Sequence, residues 1–154
     1  MEDDSWRWSV GIPGLMRAAR GCYASAIQAC LAEAGFDDLP RNGGFALALL
    51  IHVGDLSHLT GDLGVSRRVL GDLIDSMVMR GYLERGAPPA GGGLAPVVPT
   101  VRGRAAEQIM AEASARIDAL LQERLGADGF EAFQDGLLML ARIRAERGAP
   151  DGED

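Results

Sequence analysis

Residues 55–85 constrain the fold more than any other part of the chain. Within this stretch a short stripe of leucines stops at Gly64. Ser66 then stands where a helix N-cap is expected, because its hydroxyl can accept from backbone N–H groups one turn on. A second stripe has helical spacing and ends before Gly81, which takes a left-handed cap without penalty; it consists of Val69, Leu70, Leu73, Ile74, Met77 and Val78. Two short helices joined by a tight turn predict a helix-turn-helix motif.

The residues after Gly81 predict a β-hairpin. Tyr82 to Arg85 form a first short strand candidate, residues 86–93 are a Pro/Gly turn, and Leu94 to Pro99 form a second strand candidate. A hairpin directly after the second helix of a helix-turn-helix predicts a winged helix.

Five short segments occur in this order: Leu59-Thr60, residues 63–66, Leu73-Ile74-Asp75, residues 81–85, and a Thr-x-x-Gly element at Thr100 and Gly103. In order and spacing they resemble the MarR family of bacterial transcription regulators, over roughly residues 14–145. The resemblance implies one domain, mainly α with a small β-hairpin wing and about six helices. Its winged helix-turn-helix would span residues 43–100, with dimerisation helices at 13–35 and 101–147 and a disordered tail at 148–154.

The flanking segments carry apolar stripes that a minimal winged helix does not need. Residues 15–31 form a broad stripe over five turns, and residues 109–121 and 130–143 form two more. Such wide apolar faces indicate burial against another subunit. We therefore expect a homodimer, whose two recognition helices would read a palindrome in double-stranded DNA.

Polar residues near the start of the second helix are the best candidates for DNA contact. Ser66, Arg67 and Arg68 stand at its N-terminal end, where an arginine can fork onto guanine O6 and N7 or clamp a phosphate. The alternative is a solvated helix start. Asp72 is a carboxylate where the family commonly has a basic residue; it would repel phosphate, accept from a cytosine amino group, or hold Arg68 at i, i+4.

The wing departs from the family pattern. MarR-like wings usually carry an Asp-x-Arg element whose arginine enters the minor groove, whereas residues 86–93 here have no charge. Arg85 at the base of the wing, and Arg102 and Arg104 after it, are the remaining candidates for phosphate contact.

The charge balance supports a rival interpretation. The net charge is −7, yet residues 55–104 hold six arginines against five carboxylates, a balance of +1, so the acid lies mostly elsewhere. A DNA-binding surface is usually basic. The alternative is therefore a degenerate winged-helix dimer with little DNA affinity that serves as a protein-interaction or ligand-binding module.

Other residues suggest secondary sites. The resemblance implies a small-molecule effector pocket, for which Trp6, Trp8, Tyr23 and His52 are candidates; the two tryptophans could instead form an arm that packs on its own dimer. Some MarR-like proteins sense oxidants through a cysteine in the first helix, so Cys22 is a redox candidate, with a buried structural thiol as the alternative. Cys22 and Cys30, eight residues apart, cannot bridge within one straight helix.

Several classes of function are not expected. Nucleophile-elbow, phosphate-loop and zinc-protease motifs are absent, and the spacing of His52 and His58 is poor for a metal, so we predict neither an enzyme nor a bound metal or cofactor. There is no run of 18 apolar residues and no basic-then-apolar leader in MEDDSWRWSV, which predicts a cytoplasmic protein without a membrane span.

Overall fold

Four helices and a two-stranded hairpin make up the part of the chain that the computed structural model describes, residues 9–54, 56, 65–87, 90 and 96–148. In chain order they are α1 (Gly11–Glu33), α2 (Gly43–His52), α3 (Arg67–Met79), β1 (Leu83–Arg85), β2 (Val97–Pro99) and α4 (Val101–Gly148). The strands are antiparallel, with Glu84 opposite Val98. This mainly α fold with a hairpin wing confirms the predicted fold class.

The helix count differs from the predicted six. The first helix of the helix-turn-helix, predicted around residues 56–63, lies outside the described residues except for Leu56. The two predicted C-terminal helices are both contained in α4, as two helical segments that meet at a kink; the kink is at Gly126, near which the first helix was predicted to end, and its φ of 73° and ψ of 170° leave helical geometry.

The core of the first compact unit, Met1–Ser114, lies where α1, α2, α3, β1 and α4 meet. Its buried side chains come from all five elements and the turn before β1: Leu31, Ala46, Leu47, Met77, Tyr82, Leu83 and Ala106. The predicted stripe of α3 supplies half-buried Leu70, Leu73, Ile74 and Val78 around fully buried Met77. Burial of this face fixes which side of α3 faces outward.

A close backbone approach locks the hairpin to α4. The Thr100 hydroxyl accepts from the Gly103 amide at 3.0 Å, which caps the start of α4, and donates to the carbonyl of Gly81 at 2.6 Å. A Cβ on Gly103 would lie 2.2 Å from the Tyr82 carbonyl oxygen. The Thr-x-x-Gly element therefore has a steric reason: the backbone of α4 passes against the turn that follows α3.

The second unit, Ala115–Asp154, has no fully buried side chain among its described residues. Large apolar side chains stand exposed along it: Leu120, Leu125, Phe133, Leu137, Leu138, Met139, Leu140 and Ile143. Apolar surface on this scale indicates an interaction face.

Candidate nucleic-acid interface

The N-terminal turn of α3 is built as the sequence predicts. The Ser66 hydroxyl accepts from the Val69 amide at 3.3 Å, and Ser66 has extended backbone geometry, as an N-cap requires. Arg67 and Arg68 follow at once and are exposed. At the C-terminal end of α3, Gly81 has a left-handed φ of +76° and ends the helix, as predicted. The helix therefore presents two cations at its first turn.

The outward face of α3 carries both signs of charge. Arg68, Asp72 and Asp75 are all exposed and follow one another at helical spacing. Val69, predicted to belong to the apolar stripe, is 50% exposed. Its position at the edge of the stripe, on the first turn of the helix, leaves it outside the core. An exposed valine beside Arg68 adds an apolar group that can meet a thymine methyl.

Arg85 is paired with a carboxylate of α3. Its guanidinium lies 2.5 Å from the Asp75 carboxylate, and both side chains are about half exposed or more. The pair joins the base of the wing to the outward face of α3. Asp75 therefore partly neutralises Arg85 and competes with an outside phosphate for it.

Arg102 is held in a cluster with Asp38, Tyr82 and Phe36. Its guanidinium lies 2.8 Å from the Asp38 carboxylate and stacks over the rings of Tyr82 and Phe36, at 4.7 and 5.1 Å from their centroids. The Tyr82 hydroxyl donates to the same carboxylate oxygen. We call these four residues the Asp38 cluster. This arrangement favours a structural role for Arg102 over the DNA contact suggested by its sequence position.

The electrostatics of the Asp38 cluster follow from these contacts. The hydrogen bond from Tyr82 lowers the pKa of the Asp38 carboxyl, and Arg102 lowers it further against the cost of desolvation. Desolvation of Tyr82 raises the pKa of its phenol, and the bond to the Asp38 carboxylate adds to that rise. At neutral pH the cluster therefore holds a carboxylate, a neutral phenol and a guanidinium.

The arginines of the winged helix thus divide into two groups. Arg80 donates to the Asp38 backbone carbonyl at 2.6 Å, so it joins Arg85 and Arg102 in binding groups of the same chain. Within the described residues, Arg67, Arg68 and Arg104 have no hydrogen-bond or ion-pair partner, and all three are exposed. They are the cations of this region that the structure leaves available to an outside anion.

The predicted wing tip lies mostly outside the described residues, which include only Gly86, Ala87 and Ala90 of it. The hairpin base is defined: Gly86 donates to the Pro96 carbonyl at 2.7 Å, beyond the pairing of Arg85 with Val97. The uncharged tip and its lack of an Asp-x-Arg element remain facts of sequence.

A cavity of about 900 Å³ lies beside α1, α2 and the first part of α4. Its polar lining includes Arg20, Gln28, Arg41 and Glu107, and its apolar lining includes Ile27, Leu31, Phe36, Leu39, Phe45 and Met110. Size and mixed lining suit a small organic molecule. The sequence did not indicate these lining residues, because they come from three separate elements and share no motif.

Of the predicted pocket residues, Trp6 and Trp8 lie outside the described part of the chain, and neither Tyr23 nor His52 lines this cavity. Tyr23 is half-buried on α1. His52 is the last residue of α2, and its exposed ring reaches the Glu107 carboxylate at 2.8 Å.

The cysteines remain thiols. Cys22 is exposed, so the alternative of a buried thiol does not hold for this chain alone, and Cys30 is half-buried. Among the described residues no group of three or more His, Cys, Asp or Glu could hold a metal ion. His58 lies outside that part of the chain.

Comparisons with known proteins agree at the level of fold. No family model and no curated relative matches the chain. A MarR-family transcriptional regulator from Rhodococcus sp. RHA1 is similar in structure, with a TM-score of 0.58 and 19% identity over 93% of this chain and 97% of that chain. A transcriptional regulator from Thermotoga maritima has a TM-score of 0.54 and 17% identity, over 89% of this chain and 96% of that one.

The chain has the fold of these regulators. Because nearly the whole length of both chains is covered, the similarity includes the flanking helices as well as the winged helix. Within the described residues no helix has the length and apolar character needed to cross a membrane.

Proposed function

We propose that the chain is a cytoplasmic, non-enzymatic transcriptional regulator of the MarR family that binds a pseudo-palindromic operator as a homodimer and acts as a ligand-responsive repressor. One observation carries the proposal: the first turn of α3 is capped and exposed, and it presents Arg67 and Arg68 with no partner among the described residues. The shared fold of two transcriptional regulators supports it.

The chemistry of α3 suits the major groove. A guanidinium at Arg68 can bind guanine O6 and N7 together, and Asp72, one turn on, can accept from a cytosine amino group. Arg67 and Arg104 supply charge for phosphate contacts, which set the register. This assignment predicts an operator half-site with G and C near its centre.

The exposed apolar surface of the second unit supports dimerisation. Eight large apolar side chains between Leu120 and Ile143 are more than a third exposed. Since they are about half exposed, burying each would contribute roughly half of the 1.5–3 kcal/mol of a fully exposed side chain. A second copy related by a two-fold axis can bury this surface, because the same patch of each subunit then packs against that of the other. Leu138→Glu should shift the dimer toward monomer in sedimentation velocity, whereas Glu131→Gln, on the same helix, should not.

Ligand response is assigned to the cavity. An effector releases DNA only if it binds one arrangement of the recognition helices better than the other. The lining mixes arginine, amide and apolar groups, which can hold an organic molecule and fix its orientation.

The test is fluorescence anisotropy with the DNA flanking the chain's own gene, at low and moderate salt, with random DNA as competitor. We expect sub-micromolar binding that survives competitor and weakens steeply with salt. Arg68→Ala should weaken specific binding by about 1–3 kcal/mol. Arg17→Ala removes the same charge from α1 and should leave specific binding within about twofold. Equal affinity for operator and random DNA would overturn the proposal.

The rival function keeps one structural argument. Asp72 and Asp75 stand on the outward face of α3, and Asp75 occupies Arg85. With a net charge of −7, these features suit a winged-helix dimer that binds a protein or a small molecule and little DNA. Absence of DNA binding at low salt by a folded dimer would favour this function.

A further inference from the structure

The segment between α1 and α2, residues 34–42, has two faces with different contacts. We call it the cavity loop. On one face Phe36, Asp37 and residues 39–42 line the cavity. On the other, Asp38 turns toward the end of α3 and the start of α4. One short segment therefore borders both a cavity and the recognition helix.

Asp38 binds this neighbouring structure through both its side chain and its backbone. Its carboxylate accepts from the Tyr82 hydroxyl and from Arg102 at 2.8 Å, and its backbone carbonyl accepts from Arg80 at 2.6 Å. Arg80 is the C-cap of α3, and the Tyr82 amide donates to the Met77 carbonyl at 2.9 Å, inside that helix. Each contact thus ends on the last turn of the recognition helix or on the helix that follows the wing.

These contacts join the cavity loop to a buried side chain. Tyr82 is fully buried, and the Arg102 guanidinium lies over the rings of both Tyr82 and Phe36. Hydrogen bonds that involve a charged partner are shorter and stronger than neutral ones. Phe36 belongs to both sides, since it also lines the cavity. We therefore expect a shift of the cavity loop to move Tyr82 and Arg102 with it.

We propose that Asp38 is a positioning residue through which occupancy of the cavity moves the recognition helix. The proposal rests on the proposed function and names its regulation. A molecule in the cavity displaces Phe36 and the cavity loop; Asp38 then transmits the displacement to Arg80 and Tyr82, and α3 takes a second orientation with a different affinity for DNA. Coupling of this kind requires that the occupant favour one of the two orientations.

The test uses an occupant built into the chain. Ala48 lines the cavity from α2, so Ala48→Phe places a ring there without any ligand. Affinity for the DNA flanking the gene is measured for wild type, Ala48→Phe, Asp38→Asn and the double variant. We expect Ala48→Phe to change affinity at least about fivefold in the wild-type background, within the range typical of coupled sites. In the Asp38→Asn background the change should fall below about twofold.

A neighbouring carboxylate provides the matched control. Asp37 lies in the same cavity loop and lines the cavity, and among the described residues it makes no contact with Tyr82 or Arg102. In the Asp37→Asn background Ala48→Phe should keep its full effect. Because the amide oxygen of Asn can still accept from Tyr82, Asp38→Asn tests the charge of Asp38; Tyr82→Phe removes the hydrogen bond itself, retains the ring and should likewise reduce the effect of Ala48→Phe. An equal effect of Ala48→Phe in the Asp38→Asn and Asp37→Asn backgrounds would overturn the proposal.

A second readout separates this proposal from the proposed function. Amide hydrogen exchange of residues 77–83 reports the end of α3 without DNA. Ala48→Phe should change it when Asp38 is present and not in Asp38→Asn. Coupled exchange without DNA binding would refute the regulator and retain the positioning role. DNA binding with no coupling in either readout would refute the positioning role alone.

Discussion

For the stability of a Gly103→Ala variant, helix preference and the structure predict opposite changes: helix preference predicts a gain, and the structure predicts a loss. In the interior of a helix, alanine is favoured over glycine by about 1 kcal/mol. The structure puts the new Cβ 2.2 Å from the Tyr82 carbonyl oxygen and 3.0 Å from Leu47. Because ordinary contacts begin near 3.4 Å, the backbone of α4 must retreat by about 1 Å.

The expected magnitude follows from what must move. Overpacking a core typically costs about 1–3 kcal/mol. The obstacle here is a main-chain oxygen that also accepts from the Thr100 amide at 3.1 Å, so we take the upper end, ~3 kcal/mol. Gly103 stands in the first turn of α4, so the helix-interior preference of ~1 kcal/mol is the most that can be subtracted, which leaves a loss of at least about 2 kcal/mol. For a chain of this length that corresponds to a fall in Tm of roughly 4–8 °C.

Urea unfolding followed by circular dichroism, at one fixed protein concentration, measures this loss. Gly44→Ala is the control: its Cβ meets the flexible end of Met110 at 2.6 Å, so the neighbour can move and the loss should be under half as large. A Gly103→Ala protein as stable as wild type would show that the approach of α4 to Tyr82 is looser than the structure describes.

Two further predictions concern the N-cap of α3 and the Asp38 cluster. Ser66→Ala removes the N-cap of α3 and should cost about 1 kcal/mol of unfolding free energy, with Ser76→Ala in the same helix as the control; equal losses would refute the cap. For pH, the pKa of Asp38 is lowered in the folded state, so its stabilisation is complete above its unfolded pKa and is lost as pH falls through the folded value. The pKa of Tyr82 is raised, so its stabilisation is complete below its unfolded value and is lost as pH rises through the folded one. Asp38→Asn should remove the contribution of Asp38 to the acid limb of a stability–pH profile and only lessen the alkaline limb, because burial of Tyr82 is the main cause of its raised pKa. A profile unchanged from wild type would contradict the Asp38 cluster.

The sequence predicted those parts of the fold that depend on local signals. Ser66, Gly81 and Thr100 act within three or four residues of their own positions, so their roles as caps follow from residue type and spacing. The stripe of α3 was equally local, and its only misplaced member was Val69, at the edge of the helix face.

The Asp38 cluster could not be predicted in this way. Asp38 lies 44 residues from Tyr82 and 64 from Arg102, and no periodicity joins them. For the same reason the sequence indicated Arg102 only as a candidate for phosphate contact and not as a partner of Asp38. His52 was a candidate for the effector pocket and belongs to an almost wholly apolar helix, yet it is the last residue of that helix and its ring is exposed.

The ion pair between Asp75 and Arg85 bears on how such a chain would search a genome. Non-specific DNA attracts a protein through its free cations, and each one that is already neutralised weakens that attraction. With Arg85 paired and an acidic chain overall, we expect weak binding to random DNA. For a regulator of the kind proposed above, specific sites would then compete with little non-specific background, so few copies would suffice to fill them.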